Sequence, residues 1–306
     1  MTSFLFPGQG SQYVGMVRDF HDNFKIVRSV FDEIEEATSF SLRKIIFENP
    51  SNELNITNYT QISIFAASYA IFKVVLTEFD LDKINIQFML GHSLGEYTAL
   101  ACSKKINLAD CAKLLKLRGE LMNNAVEPNK SGMAAIIGLS SEKVQEIIER
   151  EKLKIQIAND NSKIQIVISG LNEDIENCEK LFLNNGIKKF VKLNVSAAFH
   201  SNIMLEAQNK LEYNINNIDF TESKISIISN YSAKSSKNND IIKECLSKQM
   251  ANKVRWTESI QELARLKETN LIEIGPGKIL SGLVKRINDS FKIISINEIN
   301  DLKLLK

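Results

Sequence analysis

Hydrophobic residues fall into two kinds of run along this chain. Short β-branched or aromatic runs at 3–6, 87–90 and 189–195 stop at glycine or polar residues, as strands do. Between the first two, apolar residues recur at helical spacing around 13–24, 24–38, 41–48 and 60–79. Strands alternating with helices predict an α/β fold whose mainly parallel sheet is covered on both faces. Near Gly132 the character changes. A strand at 133–138, a helix at 141–151 capped by Ser140 or Ser141, and strands at 154–158 and 165–169 follow one another. A helix at 171–185 and a strand at 188–195 complete a β-α-β-β-α-β order, the ferredoxin-like pattern. The earlier alternation resumes after His200. The pattern predicts a small α+β domain at 127–196, inserted between two parts, 1–126 and 197–306, of one larger domain. The segment 232–239 is expected to be a polar loop.

Composition narrows the class without changing that picture. At 306 residues the chain fits about two domains. With 44% hydrophobic and 25% charged residues it is globular, which excludes a disordered or fibrous protein. The 38 Lys+Arg against 37 Asp+Glu leave a net charge of +1, so neither nucleic acid nor an anionic membrane is expected as the main partner. Cys102, Cys111, Cys178 and Cys245 are scattered and form no metal-ligand spacing with the three histidines; no metal is expected. No secretory signal pattern opens the chain. The longest apolar run, 62–76, contains Lys73 and is too short to span a bilayer. A cytoplasmic, monomeric protein is expected.

Gly91-His92-Ser93-Leu94-Gly95 is the strongest local signal, a G-x-S-x-G between an apolar strand and a helix-compatible run. A tight strand-to-helix turn needs glycines beside the nucleophile, pushes the Ser93 hydroxyl outward and aims the Leu94 N–H at a developing oxyanion. A serine nucleophile needs a base, and His21, His92 and His200 are the available imidazoles. His21 lies in a polar helical stretch and is expected at the solvated surface; His92 is expected to pack behind the turn. His200, just past a strand, is the candidate by elimination. No acidic third member stands out. Asp160 is the nearest and is expected to serve a turn, so a Ser–His dyad oriented by a main-chain carbonyl or an amide is expected.

Asn107 is placed to cap a helix whose apolar stripe runs Cys111, Leu114, Leu115, Arg118, Leu121, Met122, Ala125. Arg118 sits within that stripe. Either its stem snorkels or pairs with a nearby Glu, or the guanidinium holds a substrate carboxylate by a bidentate pair.

Read in order, these segments resemble one family. Gly8-Gln9-Gly10-Ser11-Gln12, Gly91-His92-Ser93-Leu94-Gly95-Glu96-Tyr97, Arg118-Gly119-Glu120-Leu121-Met122 and Gly132-Met133-Ala134-Ala135 come first. Ala198-Phe199-His200-Ser201, Ile228-Ser229-Asn230 and Glu273-Ile274-Gly275-Pro276-Gly277-Lys278 follow. Together they resemble malonyl-CoA:acyl carrier protein transacylases and the related acyltransferases of polyketide synthesis, across essentially the whole chain. The resemblance implies an α/β-hydrolase-like large domain with a ferredoxin-like insertion. It implies Ser93 as acylated nucleophile, His200 as its base, and Gln9 and Leu94 N–H groups as the oxyanion hole. It also implies Arg118 as the clamp on the malonyl carboxylate, Gln249 as a residue orienting the histidine, and Asn159 and Asn161 beside the channel. Phe199 and Leu94 match malonyl-selective members; methylmalonyl-selective relatives usually have Ser and Gln there. Lys163 and Lys253 depart from the family, which often has proline at these positions. The implied activity is malonyl transfer from malonyl-CoA to the phosphopantetheine thiol of an acyl carrier protein, without metal or redox cofactor. Fatty acid synthesis and a free-standing acyltransferase of a polyketide assembly line both suit the motifs. A carrier-clearing acyl hydrolase and a non-catalytic carrier-binding scaffold are the rivals, the first disfavoured by Arg118, the second by intact Ser93 and His200.

Overall fold

The computed structural model describes residues 2–79, 84–127 and 129–306. Along these residues the strands are β1 (Thr2–Phe6), β2 (Ile86–Gly91), β3 (Ser131–Ile137), β4 (Ile155–Ser162), β5 (Gln165–Leu171), β6 (Lys189–Lys192), β7 (Ser226–Ile228), β8 (Ser235–Ser236), β9 (Asn270–Ile274) and β10 (Lys292–Ile296). They make two sheets. One has six strands in the order β10-β9-β1-β2-β7-β8, parallel throughout except for the β7–β8 edge pair. The other has four strands in the order β4-β5-β3-β6, all antiparallel. The α/β class with a separate antiparallel sheet therefore holds, and β3–β6 with their two helices keep the predicted β-α-β-β-α-β order.

The parallel sheet is buried on both faces, which is why β1 is buried at every position. The helix Thr57–Glu78 packs against it, with residues 60–68 buried throughout. By length and composition this helix could cross a membrane, unlike the shorter run the sequence outlines, yet most of it lies inside the protein. The antiparallel sheet has its own core, including Ile136, Ile147, Ile168 and Phe182. Glu273, at the end of β9, turns a buried carboxylate onto the N-terminus of helix Ile279–Ile287, accepting from the Leu280 and Ser281 N–H groups at 2.9 Å each.

Several local expectations are corrected. Strand β6 ends at Lys192; residues 193–195 leave the ladder after one more bond, Leu193 N–H to Met133 O at 2.9 Å. Strand β4 runs on to Ser162, and its register shifts around Ala158 and Asn161 mark bulges. Asp160 is thus a strand residue whose carboxylate accepts the Thr257 hydroxyl at 2.6 Å. Residues 235–236 of the expected loop form β8. His21 is not solvated: its ring packs edge-on against Phe31 and Phe47, and Arg43 Nε approaches its Nε2 at 3.1 Å. A period of polar neighbours hid it because its packing partners lie on other helices.

The carboxyl ends of β1, β2 and β7 lie side by side. Phe6 is opposite Gly91 in the β1–β2 register, and Met89 is opposite Ile227 in β2–β7. The turn after β2 is pressed so tightly that a Cβ on Gly91 would lie 2.0 Å from the Gly95 carbonyl carbon. One on Gly95 would lie 2.2 Å from Phe6 O. Only hydrogen fits in either place. Gly95→Ala is expected to lower unfolding free energy by about 3 kcal/mol, since the obstacle is backbone that cannot swing aside. Urea melts would check this; an unchanged midpoint would refute the close approach.

Candidate active site

Ser93 is the second residue after β2 and immediately precedes helix Leu94–Cys102, with φ 53° and ψ −110°. That left-handed φ in a non-glycine residue is a strained conformation, of the kind that folds retain where a side chain must be held outward. His200 also has positive φ, 57°, and is anchored by its N–H to Met250 O at 3.1 Å. The two side chains meet: Ser93 Oγ lies 2.8 Å from His200 Nε2.

Partners on the far side of the imidazole decide its tautomer. His200 Nδ1 faces two carbonyl oxygens, Gln249 O at 3.1 Å and Asn252 O at 3.2 Å. Both can only accept, so Nδ1 carries the proton and Nε2 presents its lone pair to the Ser93 hydroxyl. No carboxylate stands behind the ring among the described residues. Burial, reinforced by the Arg118 charge, pushes the His200 pKa down to about 3. The imidazole is therefore neutral throughout the physiological range.

Arg118 is 1% exposed and reaches the same hydroxyl. Its Nη2 donates to Ser93 Oγ and to Gln249 Oε1, both at 3.0 Å, and its Nη1 donates to Gln61 Oε1 at 2.6 Å. Tyr97 lies under the guanidinium, 5.3 Å from ring centroid to Cζ. Among the described residues no carboxylate pairs with it directly, so the cation snorkels nowhere and lacks a structural ion pair. Gln249 links it to one at a distance: Gln249 Nε2 donates to Glu96 Oε2 at 2.8 Å and to Ser93 O at 3.0 Å. Burial raises the Glu96 pKa, and hydrogen bonds from Asn230 and Gln249 hold it back. Among the described residues the Gln249 side chain makes no hydrogen bond to the imidazole; its main-chain carbonyl faces Nδ1, and its amide serves Arg118 and the serine turn.

Gln9, Leu94, Arg118, Phe199 and His200 all line one cavity of about 360 Å³, with Met133, Leu193 and Val195 on the side of the antiparallel sheet. Among the described residues neither the Gln9 nor the Leu94 N–H has a hydrogen-bond partner. Asn159 lines the cavity, whereas Asn161 Oδ1 accepts from His92 Nε2 at 2.7 Å. The His92 ring packs against Trp256, at 5.5 Å between ring centroids, and the residue also contributes to the cavity lining. Three side chains of the constellation were not picked out as site residues from the sequence: Gln61, Glu96 and Asn230. Gln61 stands at the edge of the apolar run 62–76, and a lone amide there was the available signal.

Chemically, the arrangement offers a hydroxyl with a neutral base on one side and a buried cation on the other. It suits a nucleophile attacking a carbonyl whose substituent carries negative charge. The comparisons with known proteins agree. A model of the acyl transferase domain matches residues 3–302. The malonyl CoA-acyl carrier protein transacylase of Bacillus subtilis (strain 168) is 37% identical over 305 residues, 99% of this chain and 95% of that protein. The solved acyl-carrier-protein-S-malonyltransferase of Bartonella henselae superposes with a TM-score of 0.94 at 37% identity, covering 99% and 98% of the two chains. A malonyl-transacylase solved in complex with its type II polyketide synthase acyl carrier protein gives 0.94 at 33% identity, covering 99% and 97%. With a family model spanning nearly its whole length and relatives this similar, the chain belongs to the acyl transferase domain family and is an enzyme of the malonyl transacylase type.

Proposed function

We propose that this chain moves a malonyl group from malonyl-CoA to the phosphopantetheine thiol of an acyl carrier protein through an ester on Ser93. The observation that carries the reading is the shared hydroxyl: Ser93 Oγ lies between His200 Nε2 at 2.8 Å and Arg118 Nη2 at 3.0 Å. A nucleophile beside a buried cation suits an acyl group that bears its own carboxylate. In the first step the Ser93 Oγ–carbon bond forms as His200 Nε2 takes the hydroxyl proton. The oxyanion rests on the Gln9 and Leu94 N–H groups, the carbon–sulfur bond breaks, and His200 returns the proton to the CoA thiolate. The carrier thiol then reverses these steps. Arg118 holds the malonyl carboxylate throughout, and Phe199 narrows the space beside the α-carbon. Every proton and charge is handled by these groups, so the reading calls on no metal or redox cofactor.

Residues 127–196 act in this reading as an inserted unit that closes the cavity over a catalytic unit made of 1–126 and 197–306. The chain works as a monomer in the cytoplasm. The complex of a related transacylase with a polyketide carrier protein supports a second pathway assignment, a free-standing malonyl acyltransferase of a polyketide synthase, beside fatty acid synthesis.

Intact-mass analysis after mixing with malonyl-CoA is expected to show one malonyl adduct on Ser93, absent from Ser93→Ala and discharged by a holo carrier protein. No adduct on the wild type would overturn the reading. Arg118→Ala is expected to cut malonyl transfer about 10–100-fold, the worth of charge-assisted hydrogen bonds, and acetyl transfer far less. Equal losses would remove the carboxylate clamp. The depressed His200 pKa sets the sign of a third test. Protonating His200 removes the base, so labelling of Ser93 by a fluorophosphonate should stay rapid below pH 6.5 and fall only toward acid. Arg118→Gln removes a cation that opposes protonation and should shift that acid limb to higher pH. A limb at the ordinary histidine value in both proteins would contradict the geometry.

A further inference from the structure

Asn230 belongs to the Ile228-Ser229-Asn230 segment, to which the proposed reaction gives no role. It lies two residues beyond β7, at the same carboxyl edge from which the Ser93 turn leaves β2. It is 1% exposed, and every polar group of the residue is engaged. Its Nδ2 donates to Gly91 O at 2.7 Å, and its Oδ1 accepts the Ser93 N–H at 2.7 Å. Its own N–H donates to Glu96 Oε2 at 3.0 Å, and its carbonyl accepts from Arg255 N–H at 3.1 Å.

We infer that Asn230 is a positioning residue for the nucleophile, a side-chain brace across the turn that holds Ser93 in its strained conformation. One amide spans the turn from the residue before His92 to the residue after it, in the one orientation that matches donor to acceptor at both ends. Gly91 O can only accept and Ser93 N–H can only donate, so the amide cannot flip without losing both bonds. The brace is tied in turn to Glu96, whose Oε2 also receives Gln249 Nε2. The turn and the Arg118 partner Gln249 thus share one buried carboxylate. By taking the Ser93 N–H, Asn230 also leaves Leu94 as the N–H of this turn that faces the cavity. Without the brace, Ser93 can relax toward ordinary backbone angles, which carries Oγ away from His200 Nε2.

This inference rests on Ser93 being the nucleophile, and its test separates it from the identity of the acyl donor. A fluorophosphonate needs only a competent serine: the Oγ–phosphorus bond forms, fluoride leaves, and the hydroxyl proton passes to His200. Asn230→Ala loses both bonds of the brace; Asn230→Asp keeps the acceptor for Ser93 N–H but sets an acceptor against Gly91 O. Rates of phosphonylation and of malonyl loading are expected to fall together in both variants, about 10–100-fold, as for a misplaced reacting group. The malonyl-CoA concentration at half-maximal loading rate should stay within about twofold, since the loss is in positioning and not in binding. Arg118→Ala serves as the contrast, slowing malonyl loading much more than phosphonylation. An unchanged phosphonylation rate in either folded variant overturns the inference. So does a rise in half-saturation with the maximal rate unchanged. If circular dichroism shows Asn230→Ala unfolded, Asn230→Asp decides alone; loss of fold in both assigns Asn230 to the core and overturns the positioning role. A wild type labelled by the phosphonate but not by malonyl-CoA would fail the acyl-donor reading while leaving the Asn230 comparison intact.

Discussion

A guanidinium buried in an apolar helix stripe must be compensated, and Arg118 is compensated almost wholly by dipoles. Two amide oxygens, from Gln61 and Gln249, and the Ser93 hydroxyl accept from its Nη1 and Nη2, with Tyr97 beneath. Removing such a charge from water costs several kcal/mol even after relaxation, and neutral acceptors return only part of that. An adjacent carboxylate would compensate better, but it would also neutralise the field in the cavity. Glu96 is instead held one amide away, behind Gln249. The positive charge thus stands at the cavity wall, with the carboxylate set back behind Gln249. That same field bears on His200, where Arg118 is the second cause, after burial, of the lowered pKa.

The serine turn imposes a geometric constraint of similar reach. Gly91 and Gly95 must lack side chains for β2 and the next helix to meet, and Ser93 must accept a positive φ. Strain of this kind costs about 1–3 kcal/mol and persists only where neighbours over-determine it. Here the neighbours come from every part of the chain: Phe6 O from β1, Asn230 from beyond β7, and Gln249 ahead of Val254, which bridges to Asn159. The parallel sheet brings these ends together because its strands all point the same way, and ligand crevices form at such edges.

That explains which parts were legible in the sequence. The nucleophile turn was visible because its requirements are local: an apolar strand, two glycines at fixed spacing and a helix. Arg118 was visible because a cation breaks a helical stripe within a few residues of itself. The two-sheet organisation followed from alternation in one part and a β-α-β-β-α-β order in the other. Contacts between distant segments were not visible. Nothing near Gln61 says that its amide faces residue 118, and nothing near Asn230 says that it spans a turn 137 residues earlier. His21 failed for the same reason: its polar sequence neighbours are real, but Phe31, Arg43 and Phe47 reach it from elsewhere. Gln249 was associated with the histidine through resemblance, whereas the structure divides the residue, its carbonyl serving His200 and its amide serving Arg118 and Glu96.

Coupling between the Arg118 cation and the neutral His200 gives the proposed cycle a direction. The guanidinium, bonded to neutral acceptors and to no carboxylate, opposes protonation of His200, which keeps Nε2 available to the Ser93 hydroxyl but makes it a weak base. Once a malonyl carboxylate rests on Arg118, the second cause of that depression is offset while burial remains. His200 is then more basic in the acyl-enzyme than in the free enzyme. That is the state in which it must draw a proton from the carrier thiol. An uncharged acyl group would leave the field unopposed and the histidine weakly basic through both steps. Arg118 therefore discriminates twice under this reading, once by holding the carboxylate and again by letting the bound carboxylate restore the base.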